Sequence, residues 1–407
     1  MANPIGGKRV AVTDFRRVGE ITTAPYNFSY NNPDWLLCDC SIINKGEYSE
    51  LAAQYPANIG VFTATNRTPS AGAPFSNACA SNGTMWIIAG PSGTSTMYKT
   101  TDGITYTSIP TSSAGDIGSI LYLGTGHWVA VGTGGNLYSS NDGVSWGVNA
   151  TAATSVGWQD MMCYSSTLGT GSGRIVYVAG TTTVYTSDDF GVSWTPRVTT
   201  GLNSLFHICW TGSRFIATIN GVANAVAVSN DGVTWASLSI PFPMAVASAV
   251  TSFIASDGKG NVVISMNSSV ASSYGILISN DHGITWKERV IPGYTGYGTF
   301  GNIYPGFPSY TNDIFFLVAS PGSGSNSIIV STNLKAFVTI SNIYALNYYD
   351  NVVYNSGTGT YYCAAAVVLN RTMVSDNSKM QLPGQILSTN ASSTVTPTSH
   401  VQWIKAR

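Results

Sequence analysis

Hydrolysing a glycosidic bond takes two carboxylates about 5–10 Å apart, one to protonate the leaving oxygen and one to attack or to activate water. Between residues 71 and 380 this chain offers a single glutamate, Glu288, in a segment that reads as an outer-edge strand. The aspartates there that lie outside a repeated turn are Asp116, Asp160, Asp257, Asp313 and Asp350, none in a recognisable motif. The four histidines, His127, His207, His282 and His400, have neither Ser–His–Asp nor metal-ligand spacing. No catalytic residue, metal ligand or cofactor site is assigned, and the expected role is not enzymatic. Binding chemistry is better represented. Tyr294, Tyr297, Phe300, Asn302 and Tyr304 crowd one glycine-rich stretch, and Trp158, Gln159 and Asp160 form a second group. Aromatic faces can stack on sugar rings while amides and hydroxyls bond sugar hydroxyls, although such rings also pack one loop on another. These eight residues are the candidate glycan contacts.

The elements that would carry them follow from a turn repeated five times. It runs from a small polar residue through Asp and Gly to an aromatic: Thr100–Tyr106, Ser140–Trp146, Ser187–Trp194, Ser229–Trp235 and Ser279–Trp286. The carboxylates of Asp102, Asp142, Asp189, Asp231 and Asp281 can accept from backbone N–H groups two residues on and from the preceding hydroxyl. Glycine takes the positive φ such a turn requires. The β-branched residue after it (Val144, Val192, Val233, Ile284) is expected to begin the outgoing strand. Trp146, Trp194, Trp235 and Trp286 are expected to close over the turns. Recurrence every 40–50 residues suits one four-stranded propeller blade per turn.

Short apolar runs bounded by Gly, Asn and Ser read as second strands: Met85–Gly90, Trp128–Gly132, Ile175–Gly180, Phe215–Thr218, Val262–Ser265, Phe315–Ala319 and Tyr361–Val368. They predict an all-β, seven-bladed β-propeller with little helix, six blades plus a hairpin being the alternative. Two later turns are degenerate: Ser331-Thr332-Asn333 ends in Phe337, and Val374-Ser375-Asp376-Asn377 lacks an aromatic.

Only 9% of the 407 residues are charged, and the net charge is −1. A phosphate backbone needs clustered Lys and Arg, so nucleic acid is not an expected partner. No apolar run is long enough for a membrane span, and no apolar leader opens the chain. The six cysteines are scattered, mostly in apolar strands, and read as buried free thiols.

The repeated turn resembles the Asp-box, or BNR repeat, S-x-D-x-G-x-T-W. Ser187–Trp194 and Ser279–Trp286 match at full length, while the copies at 140 and 229 lack one residue between Asp and Gly. The resemblance implies structural turns between third and fourth strands, on the face away from any active site. Asp-boxes occur in sialidases, receptors and non-catalytic adhesins. A sialidase would add three carboxylate-clamping arginines, a Tyr–Glu pair, an Asp acid and an F-R-I-P segment. The last is missing here, and the arginines (Arg174, Arg197, Arg214, Arg289, Arg371) are dispersed.

Before and after the blades the sequence changes character. Asp34-Trp35-Leu36-Leu37-Cys38-Asp39-Cys40-Ser41 is followed by Tyr48-Ser49-Glu50-Leu51, and the chain closes with Leu382-Pro383 and Trp403-Ile404-Lys405-Ala406. This resembles the tail-collar module of bacteriophage tail and fibre proteins, with Asp34 and Cys40 where the module has glycine. A strand at 35–40 and a short helix at 45–54 are expected. The resemblance implies an N-terminal arm (1–17) for virion attachment, a split collar-like α+β domain (18–70 and 381–407) and an inserted Asp-box propeller (71–380). It further implies a tail fibre or receptor-binding adhesin of the virion, assembled in the bacterial cytoplasm. Its partners would be other tail proteins and host cell-surface polysaccharide or lipopolysaccharide. A glycan-cleaving tail enzyme and a structural or decoration subunit stay open as alternatives.

Overall fold

Where they are described, the seven apolar runs are largely buried, as their hydrophobicity demands. Trp86–Ala89 is buried at all four residues and Phe215–Ile219 at all five. The structure, a computed structural model, describes residues 21–25, 35–37, 42–44, 46–47, 61–67, most of 78–381, and 400–405. Within 78–381 the segments 91–95, 112–115, 152–161, 241–252, 266–274, 291–308, 320–326, 341–350 and 365–369, with a few single positions, fall outside the description. All described regular structure is strand.

The chain separates into two compact units, Val61–Asp376 and the paired ends Met1–Gly60 and Asn377–Arg407. The larger unit consists of seven four-stranded antiparallel sheets. Blade one holds Cys79–Ser81, Trp86–Ala89, Thr96–Thr100 and Thr107–Pro110. Blades two to six repeat the pattern and begin at Ile117, Met162, Leu205, Phe253 and Ser309. First strands of successive blades are neighbours, and Asn351–Asn355 of blade seven lies beside Cys79–Ser81 of blade one, so the ring is closed. It is a seven-bladed β-propeller, and each expected second strand occupies that place in its sheet.

Burial explains the grammar of each blade. Second strands are mostly apolar and buried. Fourth strands such as Gly147–Thr151 and Thr195–Val198 are mostly exposed. Pro110 and Pro196 fall on these outer edges, where a missing N–H breaks no ladder and discourages pairing with another chain.

Blade seven departs from the sequence reading. Its strands are Asn351–Asn355, Thr360–Ala364, Asn370–Asp376 and, outermost, Val61–Arg67. Arg67 pairs with Asn370 and Val61 with Asp376, so a segment grouped with the terminal part completes the ring. The supposed degenerate turn at 374–377 is therefore no hairpin. Val374, Ser375 and Asp376 are strand residues opposite Thr63, Phe62 and Val61, which is why neither a brace nor an aromatic follows them. Phe62 packs edge-on against Phe316 of blade six and Tyr361 of blade seven, with ring centroids 5.9 and 5.5 Å away.

In the smaller unit, Ile21–Pro25 and Trp35–Leu37 flank His400–Lys405 as antiparallel partners, and Ile42–Asn44 pairs with Lys379–Gln381. Apart from a turn at Gly46–Glu47, the helix expected at 45–54 lies outside the described residues, as does the arm 1–17.

Candidate functional site

The eight candidate glycan contacts belong to the junctions between blades two and three (152–161) and blades five and six (291–308). Trp158, Gln159, Asp160, Tyr294, Tyr297, Phe300, Asn302 and Tyr304 all lie outside the described residues.

The braced turns are described in full. In each, the first hydroxyl accepts from the glycine N–H: Thr100 from Gly103 at 2.9 Å, Ser140 from Gly143 at 2.9 Å, Ser187 from Gly191 at 2.9 Å, Ser229 from Gly232 at 2.8 Å and Ser279 from Gly283 at 2.8 Å. That hydroxyl in turn donates to the aspartate, which also accepts backbone N–H bonds ahead of it, as from Val144 and Ser145 to Asp142 at 2.7 Å. The indole N–H of Trp146, Trp194, Trp235 and Trp286 donates to the glycine carbonyl, and the Tyr106 hydroxyl does the same. The longer copies keep this geometry by placing the extra residue, Phe190 or His282, in the left-handed region at φ 59° and 60°.

One expectation is corrected. Val144, Val192, Val233 and Ile284 do not begin the outgoing strand but stay in the turn, as Ile104 does, and Ile104, Val144, Val192 and Ile284 are 41–61% exposed. Where the turn is short, their N–H bonds the carboxylate (Ile104 to Asp102 at 2.8 Å), so it is not offered to the sheet ladder. Donation from Thr105 and then Ile104 holds Asp102 at about 2, and donation from Ser145 and then Val144 does the same for Asp142. Burial pushes Asp189, Asp231 and Asp281 upward, but their hydrogen bonds outweigh it and leave all three below the usual carboxylate value.

The residues that could have done acid–base chemistry are dispersed or committed. Glu288 is exposed on an outermost strand opposite Leu277. Asp257 accepts from Lys259 N and Asn261 N inside its own turn. Asp313 accepts from Lys259 Nζ at 2.9 Å and the Tyr310 hydroxyl at 2.7 Å. Asp188 takes both ends of Arg174, which also donates to the Asp231 carbonyl of blade four at 2.7 Å. His127 stacks on Phe190 of the next blade at 3.9 Å and bonds Asn141, while His282 Nδ1 bonds the Thr211 carbonyl at 2.9 Å. His207 is buried against Phe253. Cys79, Cys163 and Cys209 are buried and in no disulfide, and burial, then Cys209, drives the Cys163 thiol upward. Among the described residues no three His, Cys, Asp or Glu side chains are grouped to hold a metal.

Two sets of positions escaped the sequence reading. In four blades the residue at or just before the start of the second strand (His127, Arg174, Asn261, Asp313) reaches across its blade or to the next and fastens the seam. The first-strand residue opposite the first buried residue of the second strand is aromatic in four blades, Tyr122, Tyr164, Trp210 and Tyr354, and in blade six Tyr310 stands one pair further on, opposite Phe315. All five are partly exposed. Aligning the blades on their second strands would have revealed both.

No protein-family profile matches the chain and no curated protein is similar to it. Solved structures are. Virginiamycin B lyase from Staphylococcus aureus is 12% identical over 77% of this chain and 98% of its own, with a TM-score of 0.56. A chain of the mitotic checkpoint complex is 9% identical over 79% and 95%, with a TM-score of 0.52. YCF48 bound to D1 peptide is 23% identical over 64% and 79%, with a TM-score of 0.44. At these identities the likeness concerns the propeller fold alone, and the neighbours' functions are unrelated to one another.

Proposed function

We propose that this chain is a tail-associated receptor-binding protein of a bacteriophage. Its terminal unit serves as a tail-collar-like anchor, and its ring, with Asp-box hairpins, binds host surface glycan without cleaving it. The observation that carries the reading is the pairing of the chain's two ends. Trp35–Leu37, from the motif that resembles the start of a collar, runs antiparallel to His400–Lys405, which holds Trp403-Ile404-Lys405 from the motif that resembles its close. Val61 and Asp376, the ends of the ring, are themselves paired, as an insert with adjacent termini requires. The engaged state of Asp257, Asp313 and Asp188, and the outer position of Glu288, support binding over hydrolysis.

The test incubates the purified chain with surface polysaccharide from the bacterium that supports the particle. Retention of intact polymer is expected. Shortened polymer would make the chain a glycan-cleaving enzyme, and neither retention nor shortening would leave a structural subunit. Labelling the chain on intact particles should mark the tail, and head labelling would overturn the proposal.

A further inference from the structure

Arg214 occupies the place in blade four that Arg174 holds in blade three, yet it lacks both of Arg174's partners. The register fixes the equivalence: Ile175 pairs with Ser187 and Phe215 with Ser229, the serines that open the braced turns. Blades two and five align the same way, through Trp128 with Ser140 and Val262 with Ser279. In three of these four blades the residue before the second-strand member of the pair bonds the residue after the serine. His127 meets Asn141 at 2.9 Å, Arg174 Nε meets Asp188 at 2.7 Å, and Asn280 Nδ2 donates to Asn261 at 2.6 Å. In blade four the same register sets Arg214 opposite Asn230, and no such bond joins them. Among the described residues the Arg214 guanidinium has no hydrogen bond or ion pair, and its Nε is buried.

The second partner is absent for a visible reason. Arg174 donates to the Asp231 carbonyl of the next blade at 2.7 Å. The corresponding carbonyl for Arg214 is that of Asp281, in a turn lengthened by His282, and it accepts from Ile284 N at 3.3 Å instead. The carboxylates of this seam are committed as well. Asp231 accepts from Ser229, Val233 and Thr234, and Asp281 from Ser279 and Thr285. Asp257 accepts from Lys259 N and Asn261 N, and Lys259 Nζ is held by Asp313. A guanidinium whose Nε leaves water and meets no acceptor gains nothing in return.

We propose that Arg214 and Asn230 together hold the carboxylate of a small ligand, in the position that the Asp188 side chain takes against Arg174. A guanidinium offers two parallel N–H groups to a planar pair of oxygens. Arg174 shows this position doing so, with Nε on one oxygen of Asp188 and Nη2 on the other. Asn230 stands where blade three has the anion that fills the fork from within, and its amide adds N–H donors. Gly212, Ser213 and Asn230 are exposed, so the group can arrive from solvent. The site lies at the end of blade four that carries its braced turn, and it does not depend on the loops at 152–161 and 291–308. An acidic sugar and a simple carboxylate anion present the same group.

The test follows the arginine Nε–H signals of the full chain by NMR during titration with glucuronate, acetate, glucose and inorganic phosphate. The Arg214 signal, assigned by its loss in Arg214→Gln, should shift saturably with glucuronate and acetate and stay still with glucose. Glucuronate binding about tenfold tighter than acetate would make the ligand an acidic sugar, and equal binding a simple carboxylate. By ligand-observed NMR, Arg214→Gln should weaken glucuronate binding about tenfold or more. Asn230→Asp rebuilds the pair of blade three, so it should abolish carboxylate binding and raise the unfolding midpoint, which also verifies that the ring folds. No movement of the Arg214 signal with either carboxylate would overturn the proposal, as would full glucuronate affinity in Asn230→Asp. Phosphate binding as tight as acetate would overturn the choice of a carboxylate.

Discussion

Blades one to five and blades six and seven end their third strands by different means. In the first group a glycine follows the aspartate because a neighbouring blade needs the space. A Cβ on Gly191 would lie 2.5 Å from Val129 of blade two, and one on Gly143 would lie 2.7 Å from Ile87 of blade one. In blade six Leu334 takes that position, still left-handed at φ 56°, and its N–H still bonds the Ser331 hydroxyl at 2.8 Å. Its side chain is fully buried in a cluster with Val263 and Ile278 of blade five. Blade seven pairs its third strand with Val61–Arg67, an outer strand from before the ring. Across blades one to six the hydroxyl-to-N–H brace is thus the constant part, while the means of filling the seam varies.

Moving one solution onto another should break it. Gly283→Leu forces a side chain into Ile216 of blade four in a left-handed conformation, with strain and overpacking together of about 4 kcal/mol. Denaturant unfolding should show this as the largest single loss among these variants, and a loss below about 1 kcal/mol would mean the seam is soft. Phe62→Ala comes next. It removes the one described buried aromatic of the strand closing blade seven and should cost about 3 kcal/mol. The reverse exchange, Leu334→Gly, relieves the left-handed strain but empties its pocket. A net loss of about 2 kcal/mol is expected by the same measurement, and a gain would show that the leucine is merely tolerated.

Acid separates the aspartate turns from blade six, which carries Asn333 where they carry aspartate. Asp102 and Asp142 lie at about 2 in the folded ring against an ordinary 3.8. A lowered folded value means the stabilisation is complete above 3.8 and disappears as pH falls toward 2. Both carboxylates are largely exposed, so solvent discounts the effect. The unfolding midpoint should hold steady down to about pH 4 and then decline. Asp102→Asn with Asp142→Asn should start lower and decline less steeply.

Sequence legibility follows locality. Five braced turns and seven buried strands were readable because each is written in fewer than ten consecutive residues, and their spacing yields the blade count. The Val61–Arg67 strand was not, because its partner Asn370–Asp376 lies some three hundred residues away and nothing local distinguishes an outer strand from a linker. The same limit hid the seam fasteners: Arg174 looks unremarkable until folding sets it between Asp188 and Asp231. The exposed position of Val144 and Val192 was misread because β-branching signals a strand, whereas Val144 is held in the turn by the Asp142 carboxylate and Val192 by the Asp189 carbonyl.

The smallest expected effect lies between two seam fasteners of the same charge. Arg174 is bidentate on Asp188, mostly buried at 16% side-chain exposure, and also satisfies the Asp231 carbonyl. Removing it strands a partly covered carboxylate and a carbonyl, so Arg174→Met should lower stability by about 2 kcal/mol. Lys259 meets Asp313 with both side chains more than two-thirds exposed, at 69% and 68%. Water solvates either group as well once the other is gone, so Lys259→Met should leave the unfolding midpoint where it was. Added salt should likewise move the wild type little, because the fastener that matters is the one shielded from it. A clear loss in Lys259→Met would mean that the seam between blades five and six depends on charge in a way its exposure does not suggest.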